Sequence, residues 1–394
     1  MRIGVNCFIL QKSMGGLRQY FHRLFNELLD NDRQNIYVFF YFEHNIEEMG
    51  YLSNERWEND SILLKKQEEI IDHLDKIDLY FCPFGAIWPR PVPRPSVVTL
   101  VDIQEKYYPK FFTAQDIWNR EYHFEASTKT ADQVITISEF SKNSIVHHHR
   151  ISRNKVRTIY LAADESFYHP LKSEEKINLE LPERFIFYPA NRWFHKNHDN
   201  LLKALLILKK EYKVPVNCVL TGFDYEKNGY PLHEKIKEYE LENQIKVIGY
   251  VSGEEVKYIY KKAEMLCFPS LFEGFGMPLV EAMITGCPVV CSHVTSMPEV
   301  VGKAALLFNP VDPMDIANKI HTLWNNSDLR RQLVVLGKEQ AKKFSVKKVA
   351  ASHLEVFDHA VQSYNKSRFL FFKYLYEPLH TYKMFRKKKS LENI

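Results

Sequence analysis

Residues 265–292 read MLCFPSLFEGFGMPLVEAMITGCPVVCS. The apolar run Met265–Pro269 predicts a buried strand, and a loop follows over Ser270–Met277. Pro278 suits the first turn of a helix, where its missing N–H leaves no bond unmade. Gly286 suits the C-terminal cap of that helix, and Pro288–Ser292 predicts the next strand. A glycine-bearing loop therefore feeds a helix N-terminus between two parallel strands. Open α/β sheets bind ligands at that edge, and the free N–H groups and dipole of such a helix favour phosphate. Glu273 lies in the loop and Glu281 in the first turn of the helix, eight residues apart. Carboxylates repel a diphosphate, so their natural task is to accept hydrogen bonds from hydroxyls on either side of it. Gly274 and Gly276 let the backbone approach closely. Taken singly, Glu281 complements the helix dipole and Glu273 is solvated; taken together, they describe a ligand site.

Working outward, short apolar runs alternate with helical patterns along the whole chain. The expected strands of the first half are Ile3–Cys7, Ile36–Phe42, Leu79–Cys82, Val97–Asp102, Val134–Ser138 and Val156–Tyr160. Those of the second half are Phe185–Pro189, Asn217–Gly222, Lys246–Gly249, Met265–Pro269, Pro288–Ser292 and Ala305–Phe308. Nearly continuous apolar strands are the mark of parallel sheets covered on both faces. Helical patterns such as Leu17–Leu29 and Asn200–Glu211 lie between them. Two β-α series predict two doubly wound, Rossmann-like domains, 1–168 and 169–345. A helix and basic tail over 346–394 would cross back to the N-terminal domain.

The 394 residues are 45% hydrophobic and 26% charged, the balance of a globular protein rather than a fibre or a disordered chain. A net charge of +4 is too small to predict a nucleic-acid partner. The segment from Lys366 onward has eight Lys/Arg against Glu377 and Glu392, so it carries +6 and the rest of the chain about −2. The six cysteines form no C-x-x-C pair, which predicts buried, reduced thiols in a cytoplasmic protein. The first residues, MRIGVNCFILQK, read as a strand rather than a signal peptide. No run approaches the ~20 apolar residues of a membrane span.

A second loop, this one basic, NRWFHKN (Asn191–Asn197), follows a strand and precedes a helix expected near Asp199 or Asn200. Arg192 with its planar fork and Lys196 as a point charge could hold a diphosphate. Gly15-Gly16 opens the first helix but is not G-x-G-x-x-G, so it is either a phosphate approach or a plain tight turn. Asp30-Asn31-Asp32, the literal D-x-D, falls at the end of that helix and reads as a polar turn. His147-His148-His149 are consecutive and, on a helix, cannot easily face one ion; no metal site is expected. Aromatics over Tyr107–Phe124 fit core packing or stacking on a sugar acceptor. The tail joins Phe369, Phe371, Phe372, Tyr374, Tyr376, Tyr382 and Phe385 to Arg386–Lys389. That combination suits either an anionic bilayer interface or a helix packed on the protein body.

The chain resembles the retaining nucleotide-sugar glycosyltransferases of the E-x7-E group (glycosyltransferase family 4, "glycosyl transferases group 1"), similar to bacterial mannosyl- and glucosyltransferases. The resemblance rests on EGFGMPLVEAM (Glu273–Met283), with NRWFHKN, GYVS (Gly249–Ser252), ISEFSK (Ile137–Lys142), MPEVVG (Met297–Gly302) and the GG loop in support. It implies a GT-B fold, two Rossmann-like domains facing a central cleft. It implies that Arg192 and Lys196 contact the donor diphosphate, that Glu273 binds hydroxyls of the transferred sugar and that Glu281 binds the ribose. Backbone at Gly274, Phe275, Gly276 and Met277 would face sugar and phosphate. Gly15 and Gly16 would close on the donor, and Val251 would lie near the base. Many relatives have His before the Asp in TLVDIQ; here that residue is Val101, and Asp102 is left as the catalytic candidate beside the sugar. The resemblance further implies a metal-independent hexosyltransferase with no cofactor, taking GDP-mannose or a UDP-hexose and a glycan or lipid-linked glycan acceptor for cell-surface polysaccharide synthesis. Its place would be cytoplasmic, peripheral at the inner face of the plasma membrane. An epimerase or phosphorylase of the same fold, or a silent nucleotide-sugar-binding protein, are the alternatives.

Overall fold

The computed structural model describes all residues except 53–55, 172–173, 175–176, 224–228 and 393–394. Contacts divide the chain into two units, Met1–Ala162 with Val346–Ile394, and Ala163–Ser345. The break thus falls at 162/163 instead of 168/169, and the last segment packs with the first unit. Among the described residues, no helix is long and apolar enough to cross a membrane.

The first unit holds a parallel sheet of β1 (Arg2–Asn6), β2 (Ile36–Tyr41), β3 (Ile62–Leu63), β4 (Leu79–Cys82), β5 (Ser96–Thr99), β6 (Gln133–Thr136) and β7 (Val156–Thr158), in the order β3-β2-β1-β4-β5-β6-β7. The second unit holds β8 (Phe185–Pro189), β9 (Asn217–Thr221), β10 (Ile245–Gly249), β11 (Met265–Phe268), β12 (Val289–Ser292) and β13 (Ala305–Phe308), in the order β10-β9-β8-β11-β12-β13. In each sheet the chain runs outward from a central strand, returns, and continues on the other side. The order therefore reverses between β1 and β4, and between β8 and β11. Loops leaving the carboxyl ends of those strands splay apart and leave a crevice.

Most strands lie within a residue or two of their expected bounds. β3 was not anticipated, because a two-residue edge strand is too short to show a pattern. The strand expected to run from Val97 to Asp102 ends at Thr99; after Leu100 N bonds to Ile135 O at 2.9 Å the chain leaves the sheet, so Asp102 stands in a loop.

Each sheet is buried because amphipathic helices cover it. The helix Gly16–Asn31 buries Tyr20, Phe21, Leu24, Phe25, Leu28 and Leu29, the i, i+4 stripe of one face. The helix Val346–Ser363 packs Phe357 onto Phe81, ring centres 5.1 Å apart. His353 is wholly buried there; its Nδ1 lies 2.7 Å from Val349 O and its Nε2 2.7 Å from the Tyr20 hydroxyl. A carbonyl only accepts, so Nδ1 carries the proton and Nε2 accepts from Tyr20. All six cysteines are buried and free, as expected.

Three buried histidines, His149, His198 and His353, and the half-buried His195 make stability pH-dependent. Burial pulls His149 and His353 down to about 4, and His195 and His198 to about 3, the last two helped by the Lys196 cation. All four stay neutral in the fold, whereas the unfolded chain protonates them near pH 6.5. Between these values the unfolded state binds more protons, so stability is complete above about pH 6.5 and declines as pH falls toward 4. Each group contributes about 1.4 kcal/mol per pH unit within its window. We expect a melting temperature level from pH 8 to 6.5 that drops steeply by pH 4.5. A melting temperature unchanged down to pH 4.5 would refute this.

Candidate functional site

The second unit's strand order reverses between β8 and β11, and the two loops singled out in the sequence leave those two strands. After β8, residues Phe194–Lys196 form one 3-10 turn, ending at Asn197 with φ 63°, a left-handed conformation that Asn tolerates. Asn197 Nδ2 donates to Pro269 O at 2.9 Å and Pro310 O at 2.7 Å, and Leu271 N donates to His195 O at 2.8 Å. The Tyr188 hydroxyl donates to Lys196 O at 2.6 Å. The basic loop is thereby tied to the loop that follows β11. The result is direct contact between charges 77 residues apart in sequence: Lys196 Nζ lies 2.7 Å from Glu273 Oε1.

The Glu273 loop is held from its other side. Ser296, fully buried, donates to Glu273 O at 2.9 Å and Phe275 O at 3.0 Å, while Glu273 N donates to Thr295 Oγ1 at 3.2 Å. Phe275 sets its ring edge-on to Phe344 at 5.5 Å. Gly276 has φ 99°, the turn that redirects the chain into the helix Met277–Thr285, with Pro278 in its first turn and Gly286 as its left-handed C-cap. The N-cap residue Gly276 offers no side chain to cap this helix, Pro278 has no N–H, and Leu279 N donates to Gly276 O at 3.0 Å. The positive end of the helix dipole lies at this turn, directly after the loop carrying Glu273.

The helix begins at Met277, so Glu281 is its fifth residue and falls in the second turn, not the first as expected. The Tyr260 hydroxyl lies 3.2 Å from Glu281 Oε2. Arg192 is buried, with Nη2 3.0 Å from His233 Nε2. Beside these groups, a cavity of about 280 Å³ is lined by Lys196 and Val251 together with Asn191, Gly222, Phe223 and Tyr250. Arg192, Glu273 and Glu281 are not in its lining. The rings of Phe223 and Tyr250 stack at 4.6 Å, and both are exposed. Neither ring, nor Thr295, Ser296 or His233, was singled out in the sequence. The local signal for the two rings is an aromatic directly after a strand-end glycine (Gly222, Gly249).

Asp102, Gly15 and Gly16 belong to the other unit. Asp102 Oδ1 accepts from Gln104 N at 3.1 Å. Gly15, φ 54°, is the N-cap of the first helix, and at both glycines the space a Cβ would take is open. At this unit's own reversal point, beyond β1 and β4, a cavity of about 290 Å³ is lined mainly by apolar groups, among them Phe8, Phe84, Trp88 and Phe124, with Asn6 and Arg120. The Tyr107–Phe124 aromatics thus divide. Phe124 faces this cavity, whereas the buried Trp118 donates through Nε1 to Met384 O at 2.9 Å. Asp32 of the D-x-D accepts from Gln34 N, Asn35 and the Tyr37 hydroxyl, a polar turn. Of the three consecutive histidines, His149 is buried against Thr128 Oγ1 at 2.8 Å.

Residues 171–340 match the family model described as "Glycosyl transferases group 1". Over 255 residues it is 30% identical to "O-antigen chain mannosyltransferase B" of Escherichia coli, covering 64% of this chain and 66% of that protein. It is 30% identical over 222 residues to "O-antigen chain mannosyltransferase RfbU" of Salmonella typhimurium, covering 56% and 59%. The chain thus aligns with somewhat less than two thirds of these relatives' length. Its fold is similar to that of Anabaena Alr3699/HepE, with TM-score 0.72, 18% identity, and 91% and 99% of the two chains covered. Two parallel, Rossmann-like sheets in this order are the GT-B fold.

Proposed function

We propose that this chain is a retaining glycosyltransferase. It moves a hexose from GDP-mannose or a UDP-hexose to a sugar or lipid-linked sugar acceptor in cell-surface polysaccharide synthesis. The observation that carries the reading is the Lys196–Glu273 contact beside an uncapped helix N-terminus at the β8/β11 reversal. Cation, carboxylate and helix end are the three groups a sugar diphosphate requires. The family match and the mannosyltransferase relatives support it.

The chemistry follows from where charge develops. As the bond from the anomeric carbon to the diphosphate oxygen breaks, the sugar becomes oxocarbenium-like and the diphosphate gains negative charge. Lys196, Arg192 and the N–H groups after Gly276 stabilise that leaving group, a role that needs no divalent metal. Glu273 accepts hydrogen bonds from hydroxyls of the sugar, and Glu281 from the ribose. Val251 and the exposed Phe223–Tyr250 pair offer an apolar, stackable surface to the base. An acceptor hydroxyl adds to the anomeric carbon on the face the diphosphate leaves, and its proton passes to the departing diphosphate. Asp102 is the first unit's candidate for orienting the reacting sugar, and the apolar cavity beyond β1 and β4 is the candidate acceptor site.

A thermal-shift panel of nucleotide sugars tests this, since a ligand bound only by the native state raises its melting temperature. One donor should raise it, and a glycolipid acceptor should then release the matching nucleoside diphosphate. No shift with any donor would overturn the proposal; binding without turnover would favour a silent binding protein.

A further inference from the structure

After β12 the chain turns through His293–Ser296 into a short helix, Met297–Val301. Thr295 in this turn has φ 57°, a left-handed conformation that a β-branched residue adopts only where its surroundings impose it. They do so from both ends. His293 N and Nδ1 lie 2.9 and 2.8 Å from Phe308 O, and since a carbonyl only accepts, both donate. Val300 N donates to Ser296 O at 3.1 Å. Strain held in this way points to a function that it serves.

What the turn secures is the backbone around Glu273. Ser296 has one hydroxyl proton, shared between Glu273 O at 2.9 Å and Phe275 O at 3.0 Å. In a trans peptide the carbonyl and the N–H that follows it point opposite ways. Two carbonyls drawn onto Ser296 therefore turn the N–H groups of Gly274 and Gly276 to the opposite edge. Both glycines are buried, and neither N–H has an acceptor among the described residues. Buried N–H groups without partners are rare, and two on one edge form a concavity suited to an anion. Thr295 completes the brace by accepting Glu273 N at 3.2 Å, on the residue whose side chain meets Lys196. We propose that Thr295 and Ser296 are positioning residues. They hold the Glu273–Gly276 backbone so that Gly274 and Gly276 present a preset pair of N–H donors to the substrate's diphosphate. Donors fixed in advance need no reorganisation when negative charge grows on the leaving group. The inference rests on the proposed glycosyl transfer and adds to it two hydroxyls that aim the site. Ser296, fully buried, acts through the backbone and not on the ligand.

The test sets stability against function in the full chain. Thr295→Gly removes the hydroxyl while glycine takes φ 57° without strain, so its melting temperature should equal or exceed the parent's. Its kcat should nevertheless fall about tenfold, with the KM for the acceptor unchanged. Calorimetric titration with GDP and with UDP should show the diphosphate that the parent takes binding about fivefold more weakly. Thr295→Ser keeps the hydroxyl and should restore binding and turnover. Ser296→Ala leaves two buried carbonyls without their donor, so it should melt lower and lose more turnover than Thr295→Gly; where it does not fold, Thr295→Gly decides alone. Parent-like binding and turnover in either variant would overturn the inference and leave the proposed function standing. A melting temperature of Thr295→Gly that falls in step with its binding would also overturn it, assigning the turn to structure alone. A parent that binds neither GDP nor UDP would overturn the proposed function, and the inference with it.

Discussion

Lys196→Ala and Glu273→Ala should each lower kcat/KM at least about a thousandfold, some 4 kcal/mol of transition-state stabilisation, while leaving the fold intact. Both side chains sit on loops at the sheet edge, and removing one partner of this half-buried pair should cost stability only about 1–2 kcal/mol. The two variants should fail differently. On the proposed reading Lys196 contacts the diphosphate, so Lys196→Ala should bind the free nucleoside diphosphate at least about tenfold more weakly. On the same reading Glu273 binds the sugar, so Glu273→Ala should hold the free diphosphate as well as the parent and still not transfer. Because the two touch at 2.7 Å, the double variant should lose little more than the worse single one. Calorimetric titration with the diphosphate, beside turnover assays, separates these outcomes. Near-normal turnover in either variant would remove that residue from the chemistry.

The second large effect is structural and falls on the same edge. Gly222 closes β9 at φ 130°, and a Cβ there would stand 2.7 Å from Ala190 O and 2.9 Å from Asn191 N. Both are backbone atoms of the loop that carries Arg192, so no side chain can swing aside. Gly222→Ala should therefore cost about 3 kcal/mol or more, combining left-handed strain with overlap. It should also part Asn191 Oδ1 from Phe223 N, now 2.9 Å apart, and so deform the cavity beside Lys196. Differential scanning calorimetry should show a lower melting temperature, with weaker donor binding at temperatures where the variant is folded. Gly16→Ala is the control: its Cβ enters open space at the start of a helix, and stability should hold. Similar melting of the parent and the Gly222 variant would refute the account of this turn.

How much of this was legible beforehand depends on the range over which each feature is encoded. Parallel strands such as Phe185–Pro189 are covered on both faces, so they announce themselves as continuous apolar runs. β3 lies at an edge, two residues long, and has no run to show. The turn at Gly276 was readable from Gly and Pro spacing, but its left-handed φ starts the helix at Met277 and moves Glu281 a turn deeper. The partners Thr295, Ser296 and His233 come from other connections of the same unit. They meet the site only through tertiary packing, which no local pattern reports. In the last segment the aromatics and cations were plain in the sequence. Which face turns inward was not, because the Arg90–Glu377 and Arg368–Asp132 pairs that decide it join residues more than two hundred positions apart.

The most direct measurement is a crystal structure of the chain soaked with its stabilising nucleotide sugar. The account predicts a diphosphate within hydrogen-bonding distance of Lys196 Nζ and the first N–H groups after Gly276, with hydroxyls of the sugar on Glu273. Donor density seated away from the β8/β11 reversal, or on that edge without touching Lys196 or Glu273, would contradict it.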